Sequence, residues 1–195
     1  TLQFKATPTK TMRSMHFKAS LGSEHVQSFR FKNYLTRAED YNCEVSQPLF
    51  FDVAAQVKAE AAEDWEGCEV VVEVRFEPQA LGAVRDTLTI SSPDGGQYVC
   101  TLHGVCDPPR PLGPFVAAAG KDASIEFKNV FNEAHEFSFV VDNPAFVVTG
   151  SATQKLESRK STTVGVKFSG DSESTGKLLV SCSELPHMPP WVFYL

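Results

Sequence analysis

Apolar and polar residues alternate with a period of two along most of the chain, the mark of strands with one buried face. Val26 to Lys32 sets Phe29 and Phe31 on one side and Ser28, Arg30 and Lys32 on the other. Glu69 to Glu77 sets Val70, Val72, Val74 and Phe76 against Val71, Glu73 and Arg75. Met15 to Leu21, Glu39 to Val45 and Thr87 to Ser91 read as further strands, and Leu49 to Val53 forms an apolar patch after Pro48; the Pro93-Asp94-Gly95-Gly96 turn joins Thr87 to Ser91 to Gln97 to Val105 as a hairpin. Between Ala54 and Glu66 alanine and acidic residues displace β-branched ones, which favours a short helical turn or a long surface loop.

The same order is then written a second time. SFRFKN at 28–33 returns as SIEFKN at 124–129, followed by strands over Glu136 to Val141, Phe146 to Thr149, Thr162 to Phe168, Lys177 to Ser181 and Trp191 to Leu195. Gln154 to Ser161 is polar and basic and reads as a solvated loop. Repetition of an all-strand unit means tandem domains, and about seven short strands per unit mean a β-sandwich. The expected division is a first sandwich over 1–107, with 1–12 as linker, and a second, shorter one over 112–195 that stops within its last strand, as a piece of something longer would. Pro108, Pro109 and Pro111 deprive the intervening 108–111 of most backbone donors and make it a stiff, extended linker.

Composition permits this. A chain of 195 residues, 42% hydrophobic, can bury two cores of roughly 100 residues each. The core candidates are Phe29, Phe31, Phe76, Phe127, Phe137, Phe139 and Phe168. Of the adjacent Phe50 and Phe51 only one can face inward in a regular strand. Asn33 and Asn129, each at a strand end, are expected to satisfy turn backbone groups rather than hold a ligand.

A formal charge of -6 leaves no electrostatic footprint for nucleic acid, and no apolar run reaches the roughly 20 residues of a membrane span. The charge is uneven, though. Lys5, Lys10, Arg13 and Lys18 form a basic N-terminal stretch that would suit an acidic surface such as tubulin by charge steering. Five cysteines and five histidines occur without C-x-x-C or H-x-x-x-H spacing, so no cofactor, metal or redox motif is expected. The odd cysteine count favours free thiols and a reducing compartment. Carboxylates and the bases His103 and His135 are present, but no nucleophile elbow or phosphate loop organises them for catalysis. Trp65 and the basic residues Lys155, Arg159 and Lys160 are candidate partner contacts, as are Arg30 and Lys32, which point outward from their strand.

Gly22, Gln27 to Asn33, Val74 to Pro78 with Gly82, Leu88 to Ser91 and Thr101 to Gly104 together resemble the immunoglobulin-like ASH/MSP (PapD-like) domains of ciliary proteins. More narrowly, HGVCDPPRPLGPF (103–115), FKNVF (127–131), FSFVVDNPAF (137–146) and WVFYL (191–195) are similar to a very large, many-domain protein of the ciliary central-pair apparatus. The resemblance covers nearly the whole chain; the connection after Val53 departs from it. It implies two tandem immunoglobulin-like sandwiches with no catalytic residues, located in the axoneme. The implied partners are other central-apparatus proteins and neighbouring domains of the same long chain; tubulin enters only through the basic N-terminal stretch. The competing reading is an MSP-like module that binds short acidic peptides on a basic face bearing Arg30 and Lys32.

Overall fold

The computed structural model describes residues 13–118 and 121–195, and every regular element among them is a strand. The first repeat contains β1 (Arg13–Ser20), β2 (His25–Asn33), β3 (Glu39–Val45), β4 (Phe51–Val53), β5 (Gln56–Ala59), β6 (Cys68–Phe76), β7 (Gly82–Ser92) and β8 (Gly96–Asp107). The second contains β9 (Asp122–Lys128), β10 (His135–Val141), β11 (Phe146–Thr149), β12 (Thr153–Leu156), β13 (Ser161–Phe168), β14 (Lys177–Cys182) and β15 (Trp191–Tyr194). Sheet order is β1-β8-β7-β3-β5 with β2-β6-β4 in the first repeat, and β15-β14-β10-β12 with β9-β13-β11 in the second. The seven strands of the second repeat correspond in order to β2 through β8 of the first, and β1 is an additional edge strand of the first repeat.

Among the described residues, one compact unit comprises 13–19, Glu24–Glu77 and Ala83–Val105; the other comprises Ser20–Ser23, Pro78–Gly82 and Cys106–Leu195. Each unit has its own core, built from both of its sheets, which makes each a sandwich. Phe17, Phe29, Phe31, Tyr41, Val72, Val74, Phe76, Leu88, Ile90, Cys100 and Leu102 lie in the first. Leu21, Cys106, Ile125, Phe127, Phe137, Phe139, Val166, Leu178, Val180, Trp191 and Phe193 lie in the second. Phe31 meets Tyr41 edge-on with ring centroids 4.9 Å apart and an interplanar angle of 67°. The matching pair Phe127 and Phe137 repeats this at 4.9 Å and 66°. Such contacts add about 0.5–1.5 kcal/mol each beyond area burial. Phe51 is the buried member of its pair; Phe50 is only partly covered.

Two segments differ from expectation, and at equivalent places. Ala54 to Glu66 contains no helix: β5 pairs antiparallel with β3, Glu39 opposite Ala59 and Tyr41 opposite Val57. Gln154 to Ser161 is not all loop, because β12 pairs with β10, His135 opposite Leu156. Both are sheet-edge strands of four residues that bury a single side chain fully, Ala59 or Leu156. Backbone pairing therefore decides their conformation and a hydrophobic pattern hardly registers.

After the prolines, Leu112 forms a parallel bridge to Phe193 and covers the outer edge of β15. Leu112 N–H donates to Val192 O (2.9 Å), Tyr194 N–H to Leu112 O (2.8 Å) and Phe115 N–H to Tyr194 O (2.8 Å). Gly113 sits between these bonds with φ of 116°, and a Cβ there would lie 2.6 Å from Tyr194 O, so both backbone conformation and space require glycine.

Candidate functional site

Beneath the turn that leaves β2 and β9, each repeat buries one asparagine completely. Asn33 accepts from Leu35 N–H (3.1 Å) and donates to Arg37 O (3.3 Å) and Glu60 O (2.9 Å). Asn129 accepts from Phe131 N–H (3.0 Å) and donates to Glu133 O (2.8 Å) and Leu156 O (3.1 Å), sharing its amide also with Glu157 O (3.1 Å). The partners fall at the same sequence offsets in both copies. Tyr41 hydroxyl adds a bond to Asn33 Oδ1 at 3.1 Å; its counterpart Phe137 has no hydroxyl to offer. These amides are structural hubs, tying the turn to the segment at the end of β5 or β12.

The hub places a charged corner beside it. In the first repeat the Arg37 guanidinium bridges two carboxylates, Glu39 at 3.7 Å and Asp94 in direct hydrogen-bond contact. Counting from the asparagine, the second repeat puts Glu133 where Arg37 stands and His135 where Glu39 stands. Aligning LTISS (88–92) with LLVSC (178–182) puts Cys182 at Ser92 and Glu184 at Asp94. Exposures match as well: Glu39 14% and His135 15%, Asp94 59% and Glu184 51%. His135 Nδ1 contacts a Glu184 carboxylate oxygen, and the ligating atoms of His135, Cys182 and Glu184 all lie within 4.8 Å of one another. Burial pushes the Cys182 thiol up, and backbone N–H groups of Glu184 and Leu185 at the sulfur oppose that shift. Thiol, imidazole and carboxylate together can ligate a borderline-soft divalent cation. Motif spacing could not reveal this cluster, because His135 and Cys182 are brought together only by the pairing of β10 with β14. Overlaying the two repeats would have.

The residues singled out from sequence are distributed over both units. Arg30 and Lys32 lie on the outer side of the β2-β6-β4 sheet, but Arg30 pairs with Glu69 (2.5 Å) and Lys32 Nζ donates to Glu66 O (2.8 Å). Cross-strand neighbours on that side include Glu69, Glu73 and Asp52 alongside Arg75, so positive charge is compensated. Along the free edge of β2, Arg30 O accepts from Arg13 (2.7 Å) and Lys32 O from the Tyr98 hydroxyl (2.6 Å). Arg13 also lies over the Phe29 ring at 5.6 Å, and Lys18 is exposed farther along β1. Lys5 and Lys10 lie outside the described residues. Trp65, 86% exposed, stands at a turn before β6. Lys155 is exposed on β12. Arg159 has φ of 60° and its Nε donates to Asn132 Oδ1 (2.9 Å). Lys160 closes the same turn, its N–H donating to Glu157 O (3.1 Å). All five cysteines are free thiols. Among the described residues no helix is long and apolar enough to cross a membrane.

No protein-family model matches the chain. Over its full length it is 36% identical to the hydrocephalus-inducing protein of mouse and 36% identical to its human homologue. It spans 4% of the length of each. The matched relative, hydin, is the protein that the runs at 103–115 and 137–146 resemble. Solved structures that match include the PapD-like domain 7 of human CEP192, at 13% identity and a TM-score of 0.40 over 55% of this chain and 93% of that one. The YadV chaperone matches at 8% identity and a TM-score of 0.36 over 95% of this chain and 98% of that one.

Proposed function

Starting from its full-length similarity to a segment of the hydrocephalus-inducing proteins, we propose that this pair of sandwiches is a non-catalytic structural segment of the ciliary axoneme, within the central-pair apparatus. The observation that carries the reading is that the match covers the whole chain and therefore both repeats, as expected of a shared tandem array and not of one isolated module. Rigid β-sandwiches in series act as spacers that present loops at regular intervals. The partners this implies are neighbouring domains of the same chain, other central-apparatus proteins and tubulin. Of the basic candidates, Arg13 and Lys18 sit on β1 and would take part in any tubulin contact, together with Lys5 and Lys10.

The acidic-peptide reading loses support at Arg30 and Lys32, since both are engaged within their own sheet face. A peptide carboxylate would have to displace Glu69 from Arg30 to bind there. The test is crosslinking in isolated axonemes through a tag inserted at the Asp64 to Glu66 turn of the full-length protein. Crosslinks to central-pair microtubules and projection proteins are expected. Labelling confined to membrane or vesicle proteins would overturn the proposal.

A further inference from the structure

We propose that His135 Nδ1, Cys182 Sγ and the Glu184 carboxylate form a binding site for a zinc-class divalent cation, which takes in the second repeat the place that the Arg37 guanidinium takes in the first.

Two independent observations meet here. One is the ligand set: three donors of the types zinc prefers, from the start of β10, the end of β14 and the turn that follows it, within 4.8 Å of one another. The other is the comparison of repeats. The corner of the first sandwich holds a cation between the carboxylates of Glu39 and Asp94. The second sandwich keeps the acidic residue Glu184 at the Asp94 position and removes the cation, because Glu133 replaces Arg37. It also converts Glu39 and Ser92 into a histidine and a cysteine. Each of these changes adds a metal ligand or removes the group that made one unnecessary.

The geometry needs only small shifts: the His135 and Glu184 donor atoms, already in contact, open slightly, and the carboxylate and the sulfur draw together. Zinc bonds of about 2.0 Å to nitrogen and 2.3 Å to sulfur put tetrahedral ligand atoms roughly 3.5 Å apart. Glu184 is half exposed and sits in a turn, so its carboxylate can move inward while Cys182, fixed in the core, stays in place. Binding replaces the thiol proton by the metal: the S–H bond breaks, an S–metal bond forms, and one proton passes to solvent. Backbone N–H groups of Glu184 and Leu185 already face the sulfur and favour its anionic form. The His135 ring is fixed from the other side by an edge-on contact with Phe131, centroids 4.9 Å apart. Three protein ligands leave the fourth position to water.

Cobalt(II) titration of the metal-free full chain provides the test, because thiolate ligation of cobalt gives a near-ultraviolet charge-transfer band. One equivalent should produce that band with the visible absorption of a four-coordinate ion, and zinc should abolish both. Cys182→Ser should lose the band, and Glu184→Gln, which alters only an exposed side chain, should weaken cobalt affinity at least tenfold. Zinc should also raise the unfolding midpoint read by Trp191 fluorescence. A band that survives Cys182→Ser would overturn the site, since another thiol would then be the ligand. So would an unfolding midpoint that follows imidazole protonation and ignores zinc, the behaviour of a simple His135–Glu184 ion pair.

Discussion

Replacing Asn129 by alanine removes an amide that donates to Glu133 O and Leu156 O and accepts from Phe131 N–H. Glu157 O also receives Lys160 N–H at 3.1 Å, so it keeps a partner. The remaining bonds contribute about 1 kcal/mol each, and stranding a buried N–H and a buried carbonyl costs roughly 1–3 kcal/mol apiece. Relief by water lowers that sum, and the expected loss is about 3–5 kcal/mol. Aspartate makes a sharper comparison. Its carboxylate still accepts from Phe131 but faces carbonyl oxygens where the amide donated, so at neutral pH Asn129→Asp should be worse than Asn129→Ala. Those carbonyls raise the folded-state pKa of the new carboxyl, and the folded state then binds the extra proton. The excess penalty over alanine should therefore shrink as pH falls toward the unfolded carboxyl value of about 3.9. The assay is denaturant unfolding of the whole chain in a Trp65→Phe background, which leaves the core residue Trp191 as sole reporter of its unit. An alanine loss below about 1 kcal/mol, or an aspartate milder than alanine at pH 7, would refute the hub.

A Cβ at position 104 would lie 2.5 Å from the Phe76 ring, so Gly104→Ala should destabilise the first unit by about 1–3 kcal/mol, measurable as a lowered unfolding midpoint. Burial pushes the Cys106 thiol up to about 11, with Asp107 adding to the shift. A raised folded value means that the contribution is full below the unfolded thiol value of about 8.5–9 and is lost as pH climbs through 11. Alkaline unfolding curves should show up to about 3 kcal/mol of such loss, and Cys106→Ala should remove that slope. Arg30→Glu with Lys32→Glu should leave affinity for short acidic peptides unchanged; calorimetry showing tight binding by the native chain and none by the variant would restore the peptide-binding reading.

The long strands were legible because each alternates over enough residues for period two to stand out, as in Phe29 and Phe31 or Val70 to Phe76. The edge strands β5 and β12 were not, since one buried side chain each leaves no pattern to read. Asn33 and Asn129 were legible as turn residues, yet their reach to Glu60 and Leu156 depends on β5 and β12 and so stayed hidden with them. Charge told least. Arg30 and Lys32 look available in the sequence, and only the β2–β6 register sets Glu69 beside them.

The parallel seam between Leu112 and β15 also fixes how the second unit would answer a pull. In a parallel pair, tension applied upstream of Leu112 and at Leu195 draws the two segments past each other along their length. The bonds Leu112 to Val192, Tyr194 to Leu112 and Phe115 to Tyr194 then share the load in shear and must give way together. An antiparallel terminal pair pulled from one end would instead open one bond at a time. Gly113, by letting the backbone lie against Tyr194, is what brings that clamp into contact, and a bulkier residue there would turn a tension-bearing joint into a slack one.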